Sequence, residues 1–175
     1  MPALFIGRFQ PPHLGHIQAI KDALKTEDRL YIGVGSAENN YRPQNPFTFS
    51  ERYIMIESAL DAEGIPREKY AILPVRNINN YALWCSHVEL CIPPFSKVYT
   101  GSDTVQRLFE DHNKNLKNPH QIIQIKKTLD ISSTKVRELM LKDGGHEKLI
   151  HKSTAELLKK WDTIVRLKEI REIEK

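Results

Sequence analysis

The sequence predicts an α/β domain: a doubly wound, five-stranded parallel sheet followed by a helical C-terminal extension. Three observations carry this reading. Short apolar runs alternate with helical patterns along the chain. Glycines punctuate the turns that follow several of these runs. No repeat, low-complexity segment or linker interrupts the 175 residues. Strands separated by helices pair in parallel through right-handed crossovers. A chain of this length is one domain with a sizeable core, here divided into an α/β core over 1–143 and an extension over 144–175.

The elements follow in order. Residues 3–7 form the first strand, and 13–25 a helix with Ile17, Ile20 and Leu24 on one face. Residues 29–34 form the second strand, closed by Gly33 and Gly35, and a polar loop covers 36–46. Thr48 and Glu51 make a capping box for a helix reaching about Ala62. Strand three spans 70–75, a short helix 81–90, and strand four 97–100 up to Gly101. Helix resumes over 104–111, strand five covers 121–125, and a further helix 132–141. Beyond Gly144 the pattern is helical, with Leu157, Leu158, Trp161, Ile164, Val165 and Leu167 as apolar anchors. With this pattern the sheet is Rossmann-like.

Composition narrows the function classes. Charged residues make up 27% and hydrophobic ones 40%, as in an ordinary globular protein. The excess of 26 basic over 22 acidic residues gives a net charge of +4. That surplus suits polyanionic ligands such as nucleotides but does not argue for DNA or RNA. No stretch approaches the roughly 18 apolar residues of a membrane helix. The first residues enter a strand directly, without the basic and apolar regions of a signal peptide, so a cytoplasmic protein is expected. Cys85 and Cys91 lie six residues apart, which is neither a zinc nor a redox spacing. Two reduced core thiols are preferred over a metal site shared with His87.

Chemistry concentrates in three clusters. The first is Gly7-Arg8-Phe9-Gln10-Pro11-Pro12-His13-Leu14-Gly15-His16, where the first strand gives way to the first helix. His13 and His16 stand three apart, so both imidazoles share one helix face. Free N–H groups at that end favour an anion, and Gly15 keeps side-chain bulk away from it. The second is Ile131-Ser132-Ser133-Thr134-Lys135-Val136-Arg137, a hydroxyl-rich helix start with an arginine able to clamp a phosphate. The third is Gly101-Ser102-Asp103, beside the Gly33-Val34-Gly35-Ser36 turn, where small residues leave room for a flat base. Ligands of such sheets bind beyond the carboxyl ends of the strands, where the strand order reverses.

With these motifs the chain resembles the HxGH nucleotidyltransferases, through His13-Leu14-Gly15-His16 and the later Ile131 to Arg137. More narrowly it is similar to the archaeal-type nicotinamide-nucleotide adenylyltransferases. That similarity rests on Asn45-Pro46-Phe47-Thr48 with Glu51-Arg52, Ala82-Leu83-Trp84 with His87, Pro93-Pro94-Phe95, Val98-Tyr99-Thr100-Gly101 and Val105 to Phe109. The resemblance implies transfer of AMP from ATP, with Mg²⁺, to nicotinamide mononucleotide by in-line attack, giving NAD and pyrophosphate. His13, His16, Arg8 and Arg137 are then the catalytic donors. Gly7, Arg8, Phe9, His13, Gly15, His16, Gly101, Ser102, Ser132, Ser133, Thr134 and Arg137 would bind ATP. Trp84, Gly35, Ser36, Asn79 and Arg52 would bind the mononucleotide, with Trp84 stacking on the pyridinium ring and Arg52 serving the phosphate or supporting a helix start. A homo-oligomer, often a hexamer, is also implied; a dedicated protein metal site, a nucleic acid or a membrane partner is not.

The sequence departs from that pattern at Asn77, where an aspartate is common, at Tyr81 in place of an asparagine, and at Gln44 in place of a basic residue. All three concern the acceptor rather than the transfer chemistry. They keep a flavin, pantetheine or alcohol phosphate open as acceptor. An inactive nucleotide-binding module is the alternative from another class, and the full set of His13, His16 and Arg137 argues against it. A nucleic-acid-binding protein, suggested by the pI of 9.0 alone, would lose affinity steeply with salt. The histidines read alternatively as half a metal site or as helix caps, and Trp84 as core.

Overall fold

The computed structural model describes residues 1–125, 130–142 and 144–173. Five strands, β1 (Ala3–Gly7), β2 (Leu30–Gly35), β3 (Tyr70–Val75), β4 (Lys97–Thr100) and β5 (Gln121–Gln124), form one sheet. All pairs are parallel, in the order β3-β2-β1-β4-β5. Helices α1 (Leu14–Ala23), α2 (Phe49–Ala62), α3 (Tyr81–Cys91), α4 (Asp103–Asn113) and α5 (Ser133–Leu141) alternate with them. Helices α6 (Lys152–Lys160) and α7 (Thr163–Ile173) follow. The order reverses between β1 and β4, which makes their carboxyl ends the switch point of the sheet. This is the doubly wound, five-stranded fold that the apolar runs predict.

The runs lack polar alternation because the sheet is covered on both faces. Ala3 and Phe5 of β1 pack with Ile17, Ile20, Ile56 and Leu60, the inward faces of α1 and α2. Leu4 and Ile6, one residue out of phase, pack with Val88, Phe95 and Phe109 on the side of α3 and α4. A third cluster, with Phe47, Met55, Val136, Met140, Ile150, Leu158 and Leu167, fastens the C-terminal helices to α2 and α5.

Several boundaries differ from expectation for identifiable reasons. His13 is the extended N-cap of α1 rather than its first helical residue. Gly33 and Gly35 lie inside β2; a Cβ at Gly33 would stand 3.1 Å from Leu4 Cδ1, so the glycine admits the Leu4 side chain. Val165, expected as an apolar anchor, is 56% exposed. On α7, which begins after a break at Asp162 (φ 48°), Thr163, Leu167 and Ile170 face inward and Val165 falls off that face. Thr163, fully buried, donates to Leu158 O at 2.9 Å across that break. The expected boundary between core and extension falls at residue 143, outside the described residues. Cys85 is buried, while Cys91 Sγ lies 3.6 Å from His87 Nε2. Among the described residues, no helix is long and apolar enough to cross a membrane.

Candidate active site

At the carboxyl end of β1 the chain turns through Phe9, a non-glycine residue at φ 52°. Its ring folds under Gly7, where a Cβ would meet it at 3.2 Å, and packs on His16 with centroids 4.7 Å apart. Gly15 has the matching role one turn later. A Cβ there would stand 3.1 Å from the His13 ring, so its absence lets His13 fold back and stack on His16 at 3.7 Å. The glycine between the histidines is therefore required by the imidazole stack itself.

The stack also sets proton positions. His13 N–H donates to His16 Nδ1 at 3.2 Å. A neutral His16 then carries its proton on Nε2, as a donor. Burial, and then the adjacent His13, hold the His16 pKa well below the usual histidine value. Burial pushes His13 down to about 4. Both imidazoles are uncharged at neutral pH.

One expectation is narrowed. Three N–H groups at the start of α1 are already bonded: Leu14 donates to Leu149 O at 2.9 Å, and His16 and Ile17 to His13 O. The C-terminal extension thus takes the first of these amides, and positive charge at the site comes chiefly from side chains and from α5. Helix α5 is tied directly to the β1 turn. Ser133 Oγ donates to Pro11 O at 2.8 Å, and Arg137 Nη1 to Gln10 O at 2.7 Å. Ser132 caps the helix by accepting from Lys135 N–H at 3.1 Å. Arg137 is 9% exposed, and burial followed by the like charge of Arg8 lowers its pKa from the ordinary arginine value.

These elements enclose a cavity of about 320 Å³ at the β1/β4 switch point. All twelve residues expected to bind ATP line it: Gly7, Arg8, Phe9, His13, Gly15, His16, Gly101, Ser102, Ser132, Ser133, Thr134 and Arg137. Among the described residues, no aspartate or glutamate lines it. Two mutually repelling guanidinium groups, two neutral imidazoles and a row of hydroxyls make a site for a polyanion. The sequence reading missed Gln10, whose side-chain amide both donates to Phe47 O and accepts from Phe47 N–H at 2.9 Å. Its signal was a lone amide before the proline pair at an otherwise apolar turn.

The residues expected on the mononucleotide lie outside this cavity, around the ends of β2 and β3. Gly35 ends β2, and Ser36 and Asn79 turn with φ of 49° and 50°. Trp84 of α3 is half-buried, its ring edge-on to Phe109 with centroids 6.0 Å apart. Of its two expected roles, ligand contact or support of a helix start, Arg52 takes the second, as a buried support. It is 0% exposed, and its guanidinium donates to Arg8 O, Gly35 O, Ser36 O and Thr48 O at 2.8–3.2 Å. Burial pushes its pKa down to about 10, against the attraction of Glu38 and Glu51, so it stays charged at neutral pH.

Comparison with known proteins agrees with this geometry. Residues 4–139, from β1 into α5, match the family described as cytidylyltransferase-like. The chain belongs to that family. It is also a homologue of nicotinamide-nucleotide adenylyltransferases. One from Archaeoglobus fulgidus is 39% identical over 174 residues, covering 97% of each chain. Another, from Thermococcus sibiricus, is 38% identical over 169 residues, covering 96% of this chain and 88% of its own. Among solved structures, a bifunctional NMN adenylyltransferase/ADP ribose pyrophosphatase from Francisella tularensis shares the fold, with TM-score 0.74 and 24% identity over 98% of this chain. This chain spans 52% of that protein's length. The cytidylyltransferase-like family and the nicotinamide-nucleotide adenylyltransferase homologues make nucleotidyl transfer the activity class of the chain.

Two outcomes are expected. Arg52→Met leaves four carbonyl oxygens without their donor and lowers unfolding free energy by about 3–5 kcal/mol in urea titration; a loss under about 1 kcal/mol would show that water replaces the guanidinium. For His13, the unfolded chain takes up a proton near pH 6.5 and the folded one near pH 4. Between those values the unfolded state binds more protons, so stability falls as pH drops from 6.5 towards 4. His13→Gln should flatten that fall in melting temperature, and an unchanged slope would mean that His13 protonates equally in both states.

Proposed function

We propose that the chain transfers AMP from ATP to nicotinamide mononucleotide, forming NAD and releasing pyrophosphate. The observation that carries this reading is the cavity at the switch point, lined by two arginines, two uncharged histidines and the α5 hydroxyls. The kinship with nicotinamide-nucleotide adenylyltransferases supports the choice of acceptor.

The attacking group, a phosphate oxygen of the mononucleotide, is already anionic at neutral pH. No general base and no covalent intermediate is required. A bond forms to the α-phosphorus of ATP as the bond to the departing pyrophosphate breaks, and the protein supplies position and charge stabilisation. Arg8 and Arg137 provide fixed positive charge across the phosphates. His16 donates from Nε2, and His13, stacked on it, completes the neutral donor pair. ATP would enter as its Mg²⁺ complex, the metal balancing charge on the phosphates beside the arginines. At the other end, the partly open face of Trp84 receives the pyridinium ring, an attraction of roughly 0.5–2 kcal/mol. Gly35, Ser36 and Asn79 border that end.

The reading is tested by pyrophosphate release with ATP and Mg²⁺ in the presence of nicotinamide mononucleotide, flavin mononucleotide or phosphopantetheine. Release with the first alone, with NAD as product, supports it. Release with another acceptor only would keep the chemistry and reassign the substrate, and ATP binding without release would indicate an inactive module. Replacing His16 by alanine should lower kcat by roughly 10²–10³-fold. A variant with undiminished kcat would remove His16 from the transition state.

A further inference from the structure

We propose that Glu38 selects the amide form of the pyridine mononucleotide over the acid form, an assignment that rests on the function proposed above. Glu38 follows β2 in the turn that Arg52 holds by Gly35 O and Ser36 O. Its carboxylate crosses to the end of β3, where the Asn77 N–H lies 3.2 Å from Oε1 and 3.1 Å from Oε2. Oε1 also accepts from Asn39 Nδ2 at 3.1 Å. The Asn77 side chain is turned towards Asn79: its amide donates to Asn79 Oδ1 at 2.8 Å and accepts from Asn79 N–H at 3.1 Å. The preceding residue, Arg76, meets α3 through its carbonyl oxygen, 3.0 Å from His87 Nε2.

His87 stands three residues after Trp84 on α3, so the two share a helix face. The Glu38 carboxylate and the Trp84 ring are therefore anchored to the same strand end, one through Asn77 and the other through the face that His87 fixes on Arg76. Glu38 is exposed and held by N–H groups, and the nearby buried Arg52 guanidinium attracts it without forming a direct ion pair. Its charge is thus oriented towards the end of β3 and only partly offset.

The two acceptors differ in the group this charge would meet. Nicotinamide mononucleotide offers a ring cation and a carboxamide with two N–H donors. The acid form carries a carboxylate at the same ring position. The ring cation is common to both forms, so the discrimination lies in that substituent: a fixed carboxylate accepts from the carboxamide N–H groups and repels the carboxylate. Because Glu38 is exposed, the discrimination should weaken as salt rises.

The experiment compares kcat/KM for the amide and acid mononucleotides, by pyrophosphate release at saturating ATP, in the native chain and in Glu38→Gln. Glutamine keeps an acceptor oxygen for the Asn77 N–H while losing the charge. The native chain should favour the amide form, with a preference that declines as salt increases. Glu38→Gln should reduce the preference by about tenfold, mainly by improving use of the acid form, and should abolish its salt dependence. An unchanged ratio in the variant, or no preference in the native chain, overturns the assignment and leaves the transfer reading intact. No turnover of either mononucleotide by the native chain overturns both.

Discussion

The Arg52 guanidinium, shut away from water, donates to the carbonyl oxygens of Arg8, Gly35, Ser36 and Thr48. Those four groups belong to the turn after β1, the turn after β2 and the start of α2. Two of the turns hold non-glycine residues in the left-handed region, Phe9 and Ser36. Such conformations cost of order 1–3 kcal/mol each and persist where surrounding bonds over-determine them. A buried cation also loses several kcal/mol of hydration, which the four carbonyl dipoles offset. The same residue that makes the turns possible stays out of the cavity, one layer beneath the groups that would touch substrate.

Two further ties complete the site. Helix α5 reaches the β1 turn through Ser133 to Pro11 O and Arg137 to Gln10 O, so the two motifs, more than a hundred residues apart, are joined at the backbone. From the other side, Leu149 O takes the Leu14 N–H, and Arg166 of α7 pairs with Glu51 at 2.6 Å. Glu51 in turn accepts from Thr48 N–H at 2.9 Å. The C-terminal extension therefore braces α1 at one end of the site and the start of α2 at the other. With Leu14, His16 and Ile17 N–H already bonded, charge at the cavity is delivered chiefly by Arg8 and Arg137, held close despite their repulsion. An anion between them relieves that repulsion, which is the physical basis for reading the cavity as a polyphosphate site.

The organisation of the sheet and the membership of the cavity were legible before any coordinates. Parallel strands buried on both faces need unbroken apolar runs, and those runs are visible in the sequence. Gly7, Gly15, the histidine pair and the Ser132-to-Arg137 helix start all line one cavity, because each motif sits where a strand hands over to a helix. Arg52 was less legible. Its neighbours in sequence, Glu51 and Tyr53, mark it only as a charged position on a helix, and nothing local says that the helix face it occupies is buried. Val165 failed for a related reason, since its neighbours Ile164 and Leu167 take the inward face and only packing decides which apolar residue is left outside.

By itself the sequence determined the fold, through apolar runs and turn residues whose requirements are local. It also determined the chemical inventory of the site: two histidines around a glycine, two arginines and a cluster of hydroxyls. Tertiary structure decided how that inventory is used. It placed Arg52 on backbone carbonyls, set the His16 proton on Nε2 through the His13 N–H, occupied the Leu14 amide with Leu149, and turned the Glu38 carboxylate towards the end of β3. Each of these depends on which donor meets which acceptor, mostly across tens of residues. Such pairings arise from packing, and residue type and spacing alone do not specify them.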